Sequence, residues 1–355
     1  MADASLPDAR DTPAPRPRPP WRRRLGAWLS HHETLLWSLH SAWALAFGVG
    51  VMWLGARDVR WLRMTYGYIA FIWLSSMALP WLAARDLLPA GLRAWLQMAV
   101  NYFNKNFYQQ LLFFVLPLYW ASTTFWSSNS WFVALVAASA VLSTVDVVYD
   151  RHLSARRSLN AVFFAFNLFA TVNVILPVLW GLRTVTASRV SVALAVAGFL
   201  SLRAGAWPGP SRRRRWPVAV AGGVVLFALT EYGRPYIPPV PLALGQTTFG
   251  PTVLPESLRV PSPIDAWTAQ GGGRLAVVTA ISAPAGLHDR VRLVWSLDDV
   301  VFQRSRSIDV IGGRAAGYRV WSVVAVPASR PGQRVRLALE TEGGQLIGRA
   351  ALPVR

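Results

Sequence analysis

Long apolar runs alternate with short polar and basic segments through the N-terminal part of the chain, and the spacing of apolar positions changes near residue 274. A bilayer core about 30 Å thick takes about 20 mostly apolar residues in helical form. Residues 35–56, 66–84, 107–126, 131–149 and 161–181 are long enough to meet that requirement. Residues 184–202, with Arg189 near one end, and the shorter run 216–232 are weaker stretches of the same kind. In hydrocarbon each would be helical, because a helix pairs its own backbone groups. Pro80, Pro117 and Pro177 fall inside runs and predict kinks there.

Basic residues collect where these runs end. With the N-terminus inside, the inner segments carry 17 Lys and Arg and the outer loops 5, namely Arg57, Arg60, Arg63, Arg183 and Arg189. This asymmetry predicts a cytoplasmic N-terminus and, with an odd number of spans, an extracytoplasmic C-terminus. Residues 1–34 are basic and Pro-rich, the composition of a disordered segment. The first apolar run is longer than the core of a cleavable signal and reads as a signal anchor.

Residues 35–232 therefore form the expected membrane domain. Residues 233–263, with prolines at 235, 238, 239, 241, 251, 255, 261 and 263, form an expected extended, semi-rigid spacer. From residue 274 the apolar period becomes two. Strands are expected at 275–282, 290–296, 300–311, 317–326, 334–341 and 345–354, with Pro284/Gly286, Asp298-Asp299, Gly312-Gly313 and Gly343-Gly344 as turns. The expected fold class is thus an α-helical polytopic membrane bundle of about seven spans plus a C-terminal all-β antiparallel sandwich at 264–355.

Composition sharpens this picture. Hydrophobic residues make up 53% and charged residues 15%, against roughly 25% charged in soluble domains, and the mean hydropathy is +0.33. The 18 Trp suit lipid–water interfaces. The net charge of +19 would suggest nucleic acid in a soluble protein; here most basic residues sit between apolar runs, so no nucleic-acid partner is expected. The absence of Cys excludes disulfides, thiolate metal sites and thiol nucleophiles.

The stretches "LLFFVLPLYWASTTFW", "STVDVVYD" and "NVILP" resemble an uncharacterised bacterial multi-pass family, domain of unknown function 5924. The tail motifs "ISAPAGLHD", "GGRAAGYRVWS" and "GGQLIGRAALPV" are similar to the C-terminal module known as domain of unknown function 2914. The two resemblances imply an architecture of membrane helices joined to a β-module, and no established activity.

Candidate chemistry is sparse. Asp146 and Asp150 stand at i and i+4 on one helix face, followed by His152. They could bind a cation or relay protons, or pair with Arg151, Arg156 or Arg157. Asn167 and Thr171 share a face of the fifth run, with Asn173 on another; they could line a polar path or make interhelical hydrogen bonds. The polar, aromatic segment 101–110 suits an interfacial entry to the third run, and the Arg run at 212–215 suits a topology determinant that attracts anionic lipid.

In the β-domain, alternation puts Arg290, Arg292, Arg304, Arg306, Arg319 and Trp321 opposite the core positions Val291, Leu293 and Trp295. If the strands neighbour one another, one sheet face gathers guanidinium groups and an indole, suited to phosphate, carboxylate or a sugar ring. A solvated polar face is the plainer role. His288-Asp289 lies in an expected turn, and no nucleophile–base set, phosphate loop, dinucleotide fingerprint or zinc spacing is visible. No enzyme activity, cofactor or metal is expected. The expected function is an inner-membrane protein displaying a periplasmic β-sandwich that binds an anionic lipid, a glycan or an envelope protein. The alternative is a transporter or lipid-handling protein with a polar path through its helices.

Overall fold

The computed structural model describes residue 46 and residues 111–124, 126–144, 156–205, 211–268 and 272–355. The chain divides into two compact units, Met1–Trp43 and Ala44–Arg355. The first lies outside the described residues, and everything below belongs to the second.

Five helices appear among the described residues: α1 (Leu111–Ala121), α2 (Ser130–Thr144), α3 (Arg157–Trp180), α4 (Thr184–Gly205) and α5 (Ser211–Tyr232). The expected bundle of about seven spans is corrected by this result. Among the described residues one stretch, Ser158–Trp180 within α3, is long and apolar enough to cross a membrane. The apolar stretches Leu111–Ala121, Ser130–Thr144, Thr184–Leu200 and Trp216–Tyr232 are shorter. The run expected at 107–126 ends as a helix at Ala121, and the next helix begins at Ser130. Between them a hydrogen-bonded turn forms, with Ser127 N–H donating to Thr124 O and Ser130 N–H to Ser127 O. Apart from residue 46, the runs expected at 35–56 and 66–84 lie outside the described residues.

α3 and α4 form an antiparallel hairpin, and α5 packs on α4. Small residues set the approach: a Cβ on Gly198 would fall 2.6 Å from the Phe164 ring, and one on Gly223 would fall 3.0 Å from Val196. Tyr119, Phe132, Phe166 and Phe169 interleave in the helical core, with the Tyr119 and Phe132 rings 5.1 Å apart. The Tyr119 hydroxyl donates to Ala170 O at 2.8 Å.

The C-terminal part is a two-sheet antiparallel sandwich of eight strands: β1 (Ala243–Gly250), β2 (Gly273–Ser282), β3 (His288–Leu297), β4 (Val300–Arg304), β5 (Ile308–Ile311), β6 (Tyr318–Val326), β7 (Arg334–Thr341) and β8 (Leu346–Pro353). One sheet runs β1-β2-β6; the other runs β4-β3-β7-β8, with β5 also paired to β3. Core positions alternate as period two requires: Leu275, Val277 and Ile281 from one sheet meet Val291, Leu293, Trp295, Leu337 and Leu339 from the other. Phe249 of β1 packs edge-on against Trp295 at 6.2 Å.

Two features differ from the expectation. The supposed spacer is built into the sandwich: its residues 243–250 are β1, paired with β2, and Ile237, Val240 and Leu242 are buried. The single strand expected at 300–311 is two, because Ser305 turns its hydroxyl back to accept Leu293 N–H at 2.9 Å and donate to Arg306 O at 2.8 Å. Asp298 and Asp299 both adopt positive φ (45° and 76°), the backbone of a tight two-residue hairpin turn.

Candidate functional site

One end of the sandwich is seated directly on the helix ends. Asn129, fully buried in the α1–α2 turn, donates from Nδ2 to Leu346 O at 3.0 Å. Asp289, buried at the start of β3, accepts the N–H of Thr184, the first residue of α4, at 2.9 Å and that of Arg290 at 2.8 Å. Helix starts leave backbone N–H groups without intrahelical acceptors, and here the acceptor comes from the β-domain. Gln345 Nε2 donates to Ile237 O at 3.0 Å. Two glycines permit the approach. Gly181 ends α3 in the left-handed region (φ 62°), and a Cβ there would fall 2.2 Å from Gly286 O; one on Gly343 would fall 2.9 Å from Val185 Cγ2.

The outer face of the β4-β3-β7-β8 sheet is charged, and three of its arginines, Arg290, Arg292 and Arg336, pair with acids on the same face. Arg290 Nε donates to Asp309 at 3.0 Å, and Glu342 lies within ion-pair reach of both Arg290 and Arg292. Arg292 also reaches Ser307 at 3.1 Å, and Arg336 pairs with Asp299. These contacts push the Arg290 guanidinium up, mainly through its bond to Asp309, and hold the Asp299 carboxyl below its usual range through Arg336. Glu340, half buried, is pushed up by loss of water, an effect opposed by Arg304, Arg349 and Arg292.

The outer face of the β1-β2-β6 sheet is different. Arg319 and Trp321 project from β6 and are exposed, and neither has an acidic or hydrogen-bonding partner among the described residues. Ala280 stands opposite Arg319 and Val278 opposite Trp321 on β2. Beside them lies a depression of about 530 Å³ that also takes in Arg259, Gln246, Thr248 and Ser282.

The six residues expected on one basic-aromatic face are therefore divided. Arg290, Arg292 and Arg304 belong to one sheet, Arg306 follows β4 in the interruption before β5, and Arg319 and Trp321 belong to the opposite sheet. Of the helical candidates, Asn173 donates to the Tyr119 hydroxyl at 3.3 Å, an interhelical bond. Asn167 and Thr171 are buried with side-chain polar atoms lacking hydrogen-bond partners among the described residues. Asp146, Asp150, His152 and segment 101–110 lie outside the described residues, as do the side chains of 212–215. Among the described residues no group of three His, Cys, Asp or Glu is placed to hold a metal. Asn129, Gln345 and Arg259 carry no sequence signal that marks their roles. Asp289 was visible only as part of a turn.

Together these features define a class: a helical unit with one candidate membrane span among the described residues, directly carrying an antiparallel β-sandwich. The sequence model of a family of unknown function, DUF5924, matches residues 21–264, and the chain belongs to that family. The match takes in β1 and stops before β2, short of the motifs that carried the second resemblance. An immunoglobulin-like protein of Pseudomonas aeruginosa is similar at 18% identity, over 32% of this chain and 96% of its own, with a TM-score of 0.19. No curated protein matches the chain.

Proposed function

We propose that the protein is a membrane-anchored recognition protein of the bacterial envelope, and that the open β1-β2-β6 face of its sandwich does the recognising. One observation carries the reading: the sandwich commits one end to the helices and one outer face to internal ion pairs, while Arg319 and Trp321 on the other face engage nothing among the described residues. Exposed indole and guanidinium groups are the side chains most enriched at contact sites. Stretch Ser158–Trp180 serves as the anchor. Arg156 and Arg157 precede it and Trp180 closes it, residues suited to the ends of a membrane anchor.

The test is photocrosslinking in living cells from single introduced positions. A crosslinker at Ala315, beside the open depression, should capture an envelope component, and one at Val300, on the other sheet, should not. Equal capture from both positions, or none from Ala315, contradicts the reading.

A second reading, transport or lipid handling along a polar path, draws support from the unpartnered polar atoms of Asn167 and Thr171. It predicts that Asn167→Leu abolishes function and that removal of the sandwich does not.

A further inference from the structure

We infer that the depression on the β1-β2-β6 face is a binding site for an anionic sugar, a hexose ring bearing a carboxylate or phosphate. This rests on the reading of the sandwich as the recognition module and adds the ligand's chemical class and the residues that hold it.

The site is shaped by missing side chains. Gly245 on β1, Ala280 on β2 and Gly317 just before β6 adjoin one another: a Cβ on either glycine would fall 3.1 Å from the Ala280 Cβ. Larger residues at these positions would fill the floor. Instead a trench crosses the three strands, with Ala315 and Ala316 continuing it at one end.

Another wall is the strap that follows β1, with Leu258, Arg259, Val260 and Pro263 lining the trench. This strap is held in place. Leu254 N–H donates to Arg259 O and Ile264 N–H to Phe249 O, each at 2.9 Å. Gly250 allows it to lie close, since a Cβ there would fall 2.3 Å from Val260 Cγ1. Arg259 thus comes from a strap with a fixed backbone and Arg319 from strand β6, and both line the depression.

Neither guanidinium has an acidic partner within ion-pair distance among the described residues, unlike Arg290, Arg292 and Arg336 on the opposite sheet. Two guanidinium groups lining one depression suit a carboxylate or phosphate, which accepts paired N–H donors. Gln246, Thr248 and Ser282 add neutral hydrogen-bonding groups of the kind that hydroxyls require. Trp321 lies two residues beyond Arg319 on the same face, opposite the lining residue Val278, and is 42% exposed. An indole there offers an apolar face for a sugar ring. A volume of about 530 Å³ exceeds what a bare anion needs and accommodates a ring.

The test is calorimetric binding to the purified full-length chain in mild detergent, with glucuronate, glucose 1-phosphate, neutral glucose and inorganic phosphate as probes. The two anionic sugars should bind, and the other two should bind at least tenfold more weakly. Arg319→Glu and Arg259→Ala should each weaken anionic-sugar binding at least tenfold. Trp321→Ala should weaken it about fivefold while leaving inorganic phosphate unchanged, and Arg290→Ala should change nothing. Ala280→Leu should close the trench; if it fails to fold, the exposed Arg319→Glu variant stands in its place.

The inference is overturned if no anionic sugar binds, if neutral glucose binds equally, or if Arg319→Glu binds like the unaltered chain. Its failure remains distinct from failure of the broader reading. Capture from Ala315 in cells without sugar binding in vitro leaves the recognition module standing and removes the sugar.

Discussion

The two outer faces of the sandwich carry similar residues to different ends. On the β4-β3-β7-β8 face three arginines meet carboxylates: Arg290 meets Asp309, Arg290 and Arg292 meet Glu342, and Arg336 meets Asp299, while Glu340 feels Arg304, Arg349 and Arg292. On the β1-β2-β6 face Arg319 and Arg259 border a depression and meet no acid among the described residues. Surface ion pairs contribute little to stability, so this face is understood chiefly as one that supplies acids to Arg290, Arg292 and Arg336. An unmatched cation beside a concave surface remains available to a ligand. The difference teaches that guanidinium count alone does not mark a binding face; the presence or absence of resident acids does.

This comparison can be broken first where the sandwich is built. The largest effect is expected from removing β1. Leu242 and Phe249 are buried in the sandwich core, and loss of a buried Leu or Phe costs about 2–5 kcal/mol each, which approaches the whole stability of a small domain. A fragment of residues 264–355 should therefore be unfolded by circular dichroism, while one of residues 237–355 should show a cooperative transition.

Next comes the seated end. Gly181→Ala places a Cβ in the left-handed region and against Gly286 O. The backbone strain alone costs about 1–3 kcal/mol, so a lowered Tm of the full chain is expected. Asp289→Ala leaves the buried Thr184 N–H without its acceptor and should cost about 1–3 kcal/mol, read from denaturant midpoints. Against these, Arg319→Ala and Trp321→Ala should leave Tm unchanged, because neither side chain is committed to the fold.

The smallest effect concerns Glu340. Its folded pKa is raised, chiefly by burial, so its contribution to stability is fully present below the ordinary glutamate range. It is lost as pH rises through the folded value. Glu340→Gln should flatten that part of the stability–pH curve and cost nothing at neutral pH. The Asp299 carboxyl is shifted the other way, through Arg336. Its contribution is present above the ordinary carboxylate range and is lost as pH falls through its lowered value.

Strands β2, β3, β6, β7 and β8 are legible in the sequence because each alternates apolar and polar positions between turn residues, as in Val291, Leu293 and Trp295. β1 is hidden by its flanks. Pro238, Pro239, Pro241, Pro251 and Pro255 mark the region as a spacer, while "ALGQTTFG" contributes only Phe249 and a few small or polar residues to a strand pattern. The break between β4 and β5 depends on where one serine hydroxyl turns, which alternation does not record. The exposure of Arg319 and Trp321 follows from strand period, but their separation from Arg290 and Arg292 depends on which strands share a sheet. That is a tertiary property. For the first of the described helices, apolar length ran past the helix end, because the chain leaves the helix after Ala121 and turns at Thr124–Ser130.

The central claim is that the sandwich sits on the helix ends, leaving the β1-β2-β6 face free, rather than swinging on a spacer. The chain contains no cysteine, so an introduced pair has no competitor. Val185 and Gly343 meet across the seated surface. Under mild oxidation the full-length chain carrying Val185→Cys and Gly343→Cys should form an intramolecular disulfide rapidly and in high yield. Failure of the folded double variant to crosslink, while both thiols remain reactive, would contradict the account.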